Sequence, residues 1–361
     1  MTIGDRIEGR PEKDVIIEHM VPTGGAPVAV RTWFDAIAAA DKPVNDGSLA
    51  AAHLSARSYR NRAKADNTRA AYRSAVRAWC AWCDRHGVPS LPAAASDVAA
   101  FLAAERDRGQ AGNTVQLRAA AIGYLHRAAG LPSPTDTAMV SETMAGIRRD
   151  APNPQKKRAA TLGVLRAMLA PLPDDLRGVR DRALLLVGFA GALRRSELAS
   201  IRLADLVRTD RGYELTLKRS KGAQTTAVMV PLPTGQTELC PVQALNRWIE
   251  RAAIREGPVF RRIWTPPSAS DAPPPLSALG TAALTARSIA RIVQARATAA
   301  GFVASEFGGH SLKRGALTSG MEQGAHPAQL KRLGRHKSFD VLGEYLEHGD
   351  LFATHPLAGA L

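Results

Sequence analysis

From about residue 67 the apolar side chains recur at spacings of three and four. Tyr72, Val76, Trp79, Trp82 and Cys83 fall on one face of a helix, which predicts an amphipathic element opening a strongly helical stretch from Asn67 to Arg149. The same period runs through Val98 to Arg108, Thr114 to Ala129 and Ala138 to Arg149. Gly109-Gln-Ala-Gly112 and Gly130-Leu-Pro-Ser-Pro134 interrupt it, and both are helix-stopping sequences. A bundle of four or five helices is expected. Before it, residues 1–60 carry scattered Gly, Pro and charge with little period. This stretch reads as a partly disordered N-terminal extension with one short helix near Val30 to Ala40.

After the bundle the pattern lapses. Asp150-Ala-Pro-Asn-Pro-Gln-Lys-Lys-Arg-Ala-Ala160 joins prolines to three adjacent bases, poor core material that predicts a linker over 151–160. The expected domains are thus 61–150 and 161–361. In the second, Thr161 is placed to cap a helix and Asp181 to Leu198 forms another. Tyr213 to Leu217 and Thr226 to Val230 alternate as short strands around Lys218-Arg-Ser-Lys-Gly222. Thr265 to Pro275 is rich in Pro and Ser and predicts a loop, and Ala286 to Ala300 predicts a basic helix carrying Arg287, Arg291 and Arg296.

Composition sharpens this picture. With 361 residues, 45% of them hydrophobic, the chain can bury two cores. Aromatics make up only 5% while Ala, Leu and Arg abound, so helices are favoured over sheets. A formal net charge of +15 calls for a polyanionic partner, and nucleic acid is the natural one. Apolar runs of about 18 residues are missing, and Met1-Thr-Ile-Gly-Asp-Arg6 lacks the layout of a secretion signal, so a soluble cytoplasmic protein with no membrane partner is expected. Cys80 and Cys83 form a C-x-x-C, but without a second Cys or His pair they read as helix core, and no metal is expected.

The second domain also carries an ordered set of polar groups. Arg194 and Glu197, three apart, would share a helix face, with Glu197 holding the guanidinium. Lys221 sits in the turn between the two expected strands. Gly308-Gly-His310-Ser-Leu-Lys313-Arg314 places an imidazole at a helix start with two bases one turn on, and Gly334-Arg-His336 supplies a second imidazole. Tyr345 follows within a short apolar helix. Singly, each has a structural explanation: an ion pair, a hairpin lysine, a packed histidine, a core tyrosine.

Together they resemble the signature of the tyrosine recombinase (phage integrase) family, in its Cre-like form: Arg, Lys, His-x-x-Arg, His or Trp, Tyr. Here the set reads Arg194, Lys221, His310, Lys313, His336, Tyr345. The intervals resemble the family's as well, with 116 residues from Arg194 to His310, 26 to His336 and nine to Tyr345. Trp79-Cys-Ala-Trp-Cys83 and Leu125-His-Arg-Ala-Ala-Gly-Leu-Pro-Ser-Pro-Thr-Asp136 extend the likeness into the first domain. One departure stands out. Lys313 occupies the place of the family's second arginine, keeping the charge but giving up the planar fork, and Arg314 lies about 100° further round the helix.

The resemblance implies a mainly α protein: a helical core-binding bundle followed by an α-rich catalytic domain with a small β-sheet. It implies DNA strand transfer through a 3′-phosphotyrosine at Tyr345 and a Holliday junction, without metal, ATP or other cofactor. Lys221 would protonate the leaving 5′-oxygen. Arg194, Lys313 and His336 would stabilise the pentavalent phosphorus, and His310 would assist proton transfer, with Glu197 and Arg314 behind them. The implied partners are double-stranded DNA bearing inverted repeats and three further copies of the chain, in a bacterial or phage setting close to the nucleoid. Expected DNA contacts are Arg69, Arg73, Thr114, Gln116 and Arg118 in the first domain and Arg287 and Arg291 in the second. Two other readings remain open: a DNA-binding relative that has lost cleavage, suggested by Lys313, and a nicking-closing enzyme resembling type IB topoisomerases.

Overall fold

A computed structural model describes residues 26–39, 47–62, 64–152, 157–218, 227–264, 278–336 and 338–339. The chain divides into two compact units, Met1–Pro154 and Gln155–Leu361.

The first unit is helical. Helices α1 (Pro27–Ala39), α2 (Leu49–Arg62), α3 (Asp66–His86), α4 (Ala95–Asp107), α5 (Gly112–Ala128) and α6 (Ala138–Asp150) follow one another, with a single 3-10 turn at Pro134–Asp136. The periodic stripe of α3 buries Val76, Trp79, Trp82 and Cys83 against Phe101, Leu102, Ile122 and Leu125. Both cysteines of the C-x-x-C are buried here, and burial pushes the Cys80 thiol up to about 11 and that of Cys83 higher still. Two polar groups inside this core are fully committed. The Trp79 indole donates to the Ser90 carbonyl at 2.9 Å. His126 donates through Nδ1 to the Ile122 carbonyl at 2.9 Å and accepts at Nε2 from the Ala93 N–H at 3.0 Å, which defines a neutral imidazole.

The short helix expected near Val30 to Ala40 is α1, Pro27–Ala39, and it belongs to the bundle core. Helix α1 packs on α3, and its Val30, Trp33 and Phe34 are as buried as the rest of the core. Apolar positions at 30, 33 and 34 already have helical spacing, and they gain their stability from the bundle they cover.

The second unit is built around α8 (Leu176–Ala190), buried along nearly its whole length from Val179 to Gly188. Around it lie α7 (Leu162–Leu169), α9 (Arg195–Ser200), α10 (Pro241–Arg251), α11 (Ala286–Ala299), α12 (Ser311–Glu322) and α13 (Pro327–Gly334). A three-stranded antiparallel sheet of β1 (Leu206–Thr209), β2 (Gly212–Leu217) and β3 (Val228–Pro233) sets Leu215 opposite Val230 and Leu217 opposite Val228, and Leu215, Leu217 and Val230 face the core. A second hairpin pairs β4 (Arg261–Trp264) with β5 (Ala278–Ala283). Asp181, buried on α8, holds Arg180 at 2.7 Å and Arg296 of α11 at 3.0 Å, so Arg296 serves the interior.

Two expectations change. Residues 157–160 are not free linker: the Arg158 N–H donates to the Glu306 carbonyl, the Ala160 N–H donates to the Ser311 carbonyl, and Ala160 is fully buried. The strap lies so close to α12 that a Cβ on Gly315 would stand 1.8 Å from the Ala160 carbonyl oxygen, so only glycine fits there. And the helix expected from Asp181 to Leu198 is two helices with a turn between them, which ends at Arg194. The expected loop over Thr265 to Pro275 lies outside the described residues.

Candidate active site

Helix α8 stops at Ala190 because Leu193 is drawn into the core and Ala192 takes a left-handed conformation, φ 42°. The chain re-enters a helix at Arg195 with Arg194 as its N-cap. Arg194 and Glu197 therefore do not share a helix face as the spacing suggests. They form a capping box, in which the Glu197 carboxylate accepts from the Arg194 N–H at 2.8 Å and from Arg194 Nη1 at 2.7 Å.

Glu197 is buried, 3% exposed, and takes a third donor from a distant segment. Arg335, 138 residues further on, reaches it with Nη2 at 2.8 Å. The same guanidinium donates to the carbonyls of Ala192 at 2.8 Å and Gly191 at 2.9 Å. Burial alone would raise the Glu197 carboxyl, but the Arg194 N–H and the two guanidinium groups outweigh it and hold the carboxyl below its usual range.

Lys313 completes the cluster. It lies in the first turn of α12, 4% exposed, with Nζ donating to the Gly334 carbonyl. Burial, reinforced by Arg194 and Arg335, lowers its ammonium from 10.5 to about 7, against the opposing pull of Glu197. Three cations thus surround one carboxylate, an arrangement suited to receiving an anion and hostile to a metal ion.

His310 is the exposed N-cap of α12 and His336 follows Arg335 half-buried. A Cβ on Gly334 would lie 2.5 Å from His336 Cδ2, so the imidazole folds back over that glycine. Arg314 is turned aside and donates to the Lys157 carbonyl of the strap, as expected for a residue one helical step from Lys313. Lys221 and Tyr345 lie outside the described residues.

Of the expected DNA contacts, Arg287 and Arg291 are exposed on α11, Gln116 is exposed and Thr114 half-buried on α5, and Arg69 and Arg73 are half-buried on α3. Arg118 is placed differently from these. It pairs with the buried carboxylate of Glu105 and leans over the Phe101 ring at 5.9 Å, so its charge is spent inside the first unit. Arg335 was not among the expected site residues. Its only signal is a cation in the middle of Gly334-Arg-His336, and nothing local marks it as reaching back to Glu197.

The phage integrase family matches over residues 163–350, more than half the chain and the whole cluster just described. The chain belongs to the phage integrase family. The family's N-terminal SAM-like domain matches residues 52–130 in the helical unit. Among curated relatives, an integrase/recombinase XerD homolog of Selenomonas ruminantium is 35% identical over 84% of this chain and 88% of its own length. The Cre recombinase of Escherichia phage P1 is 28% identical over 77% of this chain and 82% of its own. The fold agrees with solved structures of phage integrase relatives. XerH recombinase bound to a palindromic difH substrate superposes with a TM-score of 0.59 at 13% identity, covering 94% of this chain and 96% of that one. A lambda integrase dimer bound to a core site gives 0.55 at 17% identity, over 80% and 73%. As a phage integrase the protein is a tyrosine recombinase, mainly α with two small sheets among the described residues. Among the described residues no helix is long and apolar enough to cross a membrane.

Proposed function

We propose that this tyrosine recombinase exchanges DNA strands at a defined site through Tyr345. The observation that carries the reading is the buried gathering of Arg194, Lys313 and Arg335 about Glu197, drawn from three separate stretches of the second unit. The phenolic oxygen of Tyr345 attacks the scissile phosphorus, a phosphotyrosine ester forms, and the bond to the 5′-oxygen breaks. Lys221 gives that oxygen its proton, and Arg194, Lys313 and His336 take up the negative charge of the pentavalent state. His310 assists the proton on Tyr345. One ester replaces another, so a partner strand's 5′-hydroxyl reverses the step without ATP, and two rounds pass through a Holliday junction. The partners are duplex DNA with inverted repeats and a homotetramer of this chain, with Arg287 and Arg291 on the DNA.

Lys313 fits this scheme in a conditional way. Its ammonium holds its proton weakly while the site is empty, and a phosphodiester brought against it supplies the opposite charge that keeps it protonated. The lysine also favours a second reading, a DNA-binding relative whose cleavage is impaired.

Covalent capture separates the two. Incubated with a pool of nicked random-sequence duplexes, the wild type is expected to yield a denaturant-resistant protein–DNA adduct, enriched for one sequence on sequencing, and Tyr345→Phe none. No adduct across all pH values and salt concentrations would establish the second reading. Relaxation of any supercoiled plasmid, without sequence enrichment, would point to a nicking-closing enzyme instead.

A further inference from the structure

Arg335 is the buried cation that the reaction scheme leaves without a task. It caps α13 in the left-handed region, φ 52°, a conformation that residues other than glycine adopt rarely. Both terminal nitrogens are committed: Nη1 to the Gly191 and Leu333 carbonyls, Nη2 to the Ala192 carbonyl and Glu197. With both terminal nitrogens so engaged and the side chain 9% exposed, only a buried Nε is left without a partner among the described residues, and the guanidinium offers no two-nitrogen edge to a phosphate. Its neighbour Gly334 meanwhile receives Lys313 on its carbonyl and, by lacking a Cβ, leaves room for His336.

We propose that Arg335 is a positioning residue for strand transfer, a role that rests on the reading above: it ties Glu197 and the Gly191–Ala192 turn to the end of α13, and so holds Arg194, Lys313 and the His336 segment in one register. The planar fork that the site lacks at Lys313 is present at Arg335, directed inward at protein acceptors. Three acceptors at 2.8–2.9 Å in different directions suit a fork and cannot be spanned by an ammonium. Arg335 also acts on Lys313 through charge. Among the described residues, the charged groups acting on Lys313 are Arg194 and Glu197 at the start of α9 and Arg335 at the end of α13, with none from α7 or α8.

The test compares the wild type with Arg335→Lys and Arg335→Met in single-turnover capture on the nicked duplex enriched by the wild type. Arg335→Lys is expected to fold and bind the duplex, melting below the wild type because some of the acceptors lose their donor, yet under conditions where it is fully folded to cleave roughly a hundredfold more slowly, because displacement of a reacting group by an ångström has that effect. In Arg335→Met the alkaline limb of the rate profile should move to higher pH, since Lys313 has lost a like charge. Cleavage by Arg335→Lys within about threefold of wild type would overturn the assignment, and so would an unmoved alkaline limb in Arg335→Met. Should Arg335→Met not fold, Arg335→Lys decides alone. An NMR titration of 13C-labelled Lys313 reads the coupling without any cleavage. If the wild type forms no adduct at all, the strand-transfer reading fails, while a Lys313 titration unchanged by Arg335→Met is what defeats the positioning role.

Discussion

Each unit of this recombinase buries a glutamate between arginines, and the two cases are instructive side by side. In the first, Glu105 on α4 is 4% exposed and accepts from Arg108 at 2.8 Å while pairing with Arg118 of α5. In the second, Glu197 is 3% exposed between Arg194 and Arg335. Burying a carboxylate is unfavourable by several kcal/mol unless it is paired, and both satisfy that demand in the same way. What differs is the surroundings. Arg118 lies over the Phe101 ring in an apolar core, whereas Glu197 stands beside Lys313, a third cation whose bonded partner is a backbone carbonyl. A buried arginine–glutamate pair is therefore no sign of chemistry in itself. A surplus buried cation is.

Removing the two carboxylates tests this contrast most strongly. Glu105→Gln and Glu197→Gln should each destabilise by about 3 kcal/mol in urea melts, since each strands a largely buried arginine, Arg118 or Arg335. Only Glu197→Gln should slow covalent capture, by roughly a hundredfold, because it alone releases a cation that faces the reacting phosphate. Equal losses of cleavage would erase the distinction.

A smaller effect separates the arginines themselves. Arg118→Ala should weaken folding by about 2 kcal/mol and leave DNA affinity unchanged beyond that. Arg287→Ala on exposed α11 should leave the melt within about 0.5 kcal/mol and lower DNA affinity roughly tenfold. Fluorescence anisotropy on the enriched duplex, set beside thermal melts, distinguishes them, and a binding loss in Arg118→Ala at full folding would return that residue to the DNA surface.

The smallest expected effect concerns pH. Burial lowers His126 from its ordinary 6.5, helped by Arg127 and opposed by its bond to Ile122, so the unfolded chain takes up the proton first as pH falls. Stability conferred by the neutral ring is present above pH 6.5 and lost progressively below it. His126→Gln should flatten that acid decline and weaken folding by about 1 kcal/mol at pH 8. An unchanged decline would place the sensitive group elsewhere.

The sequence was most legible where apolar periodicity alone determines the element. Helices α3 to α6 and α11 follow their stripes, and the hairpin around Lys218 appears as β2 and β3. Helix α2 has no such stripe: only Ala51 and Ser58 are buried among its described side chains, and it passes for loop. Strands β1 and β4 are only four residues long, too short for alternation to show, and β5 is rich in Ala and Gly, which have little strand preference; all three are held by pairing with neighbours. At the candidate site, Arg194, Glu197 and Lys313 stood out in the sequence through their likeness to the family signature, and the structure brings these three together. Arg335 did not, since its role depends on carbonyls more than 140 residues earlier, a relation no local pattern carries.

Helix α9 is only six residues long, and its sole N-terminal clasp is the carboxylate that also anchors both guanidinium groups. Fraying of that first turn and dismantling of the anion-receiving pocket are consequently the same event. Whatever tightens that turn therefore also tightens the hold on Arg194 and Arg335.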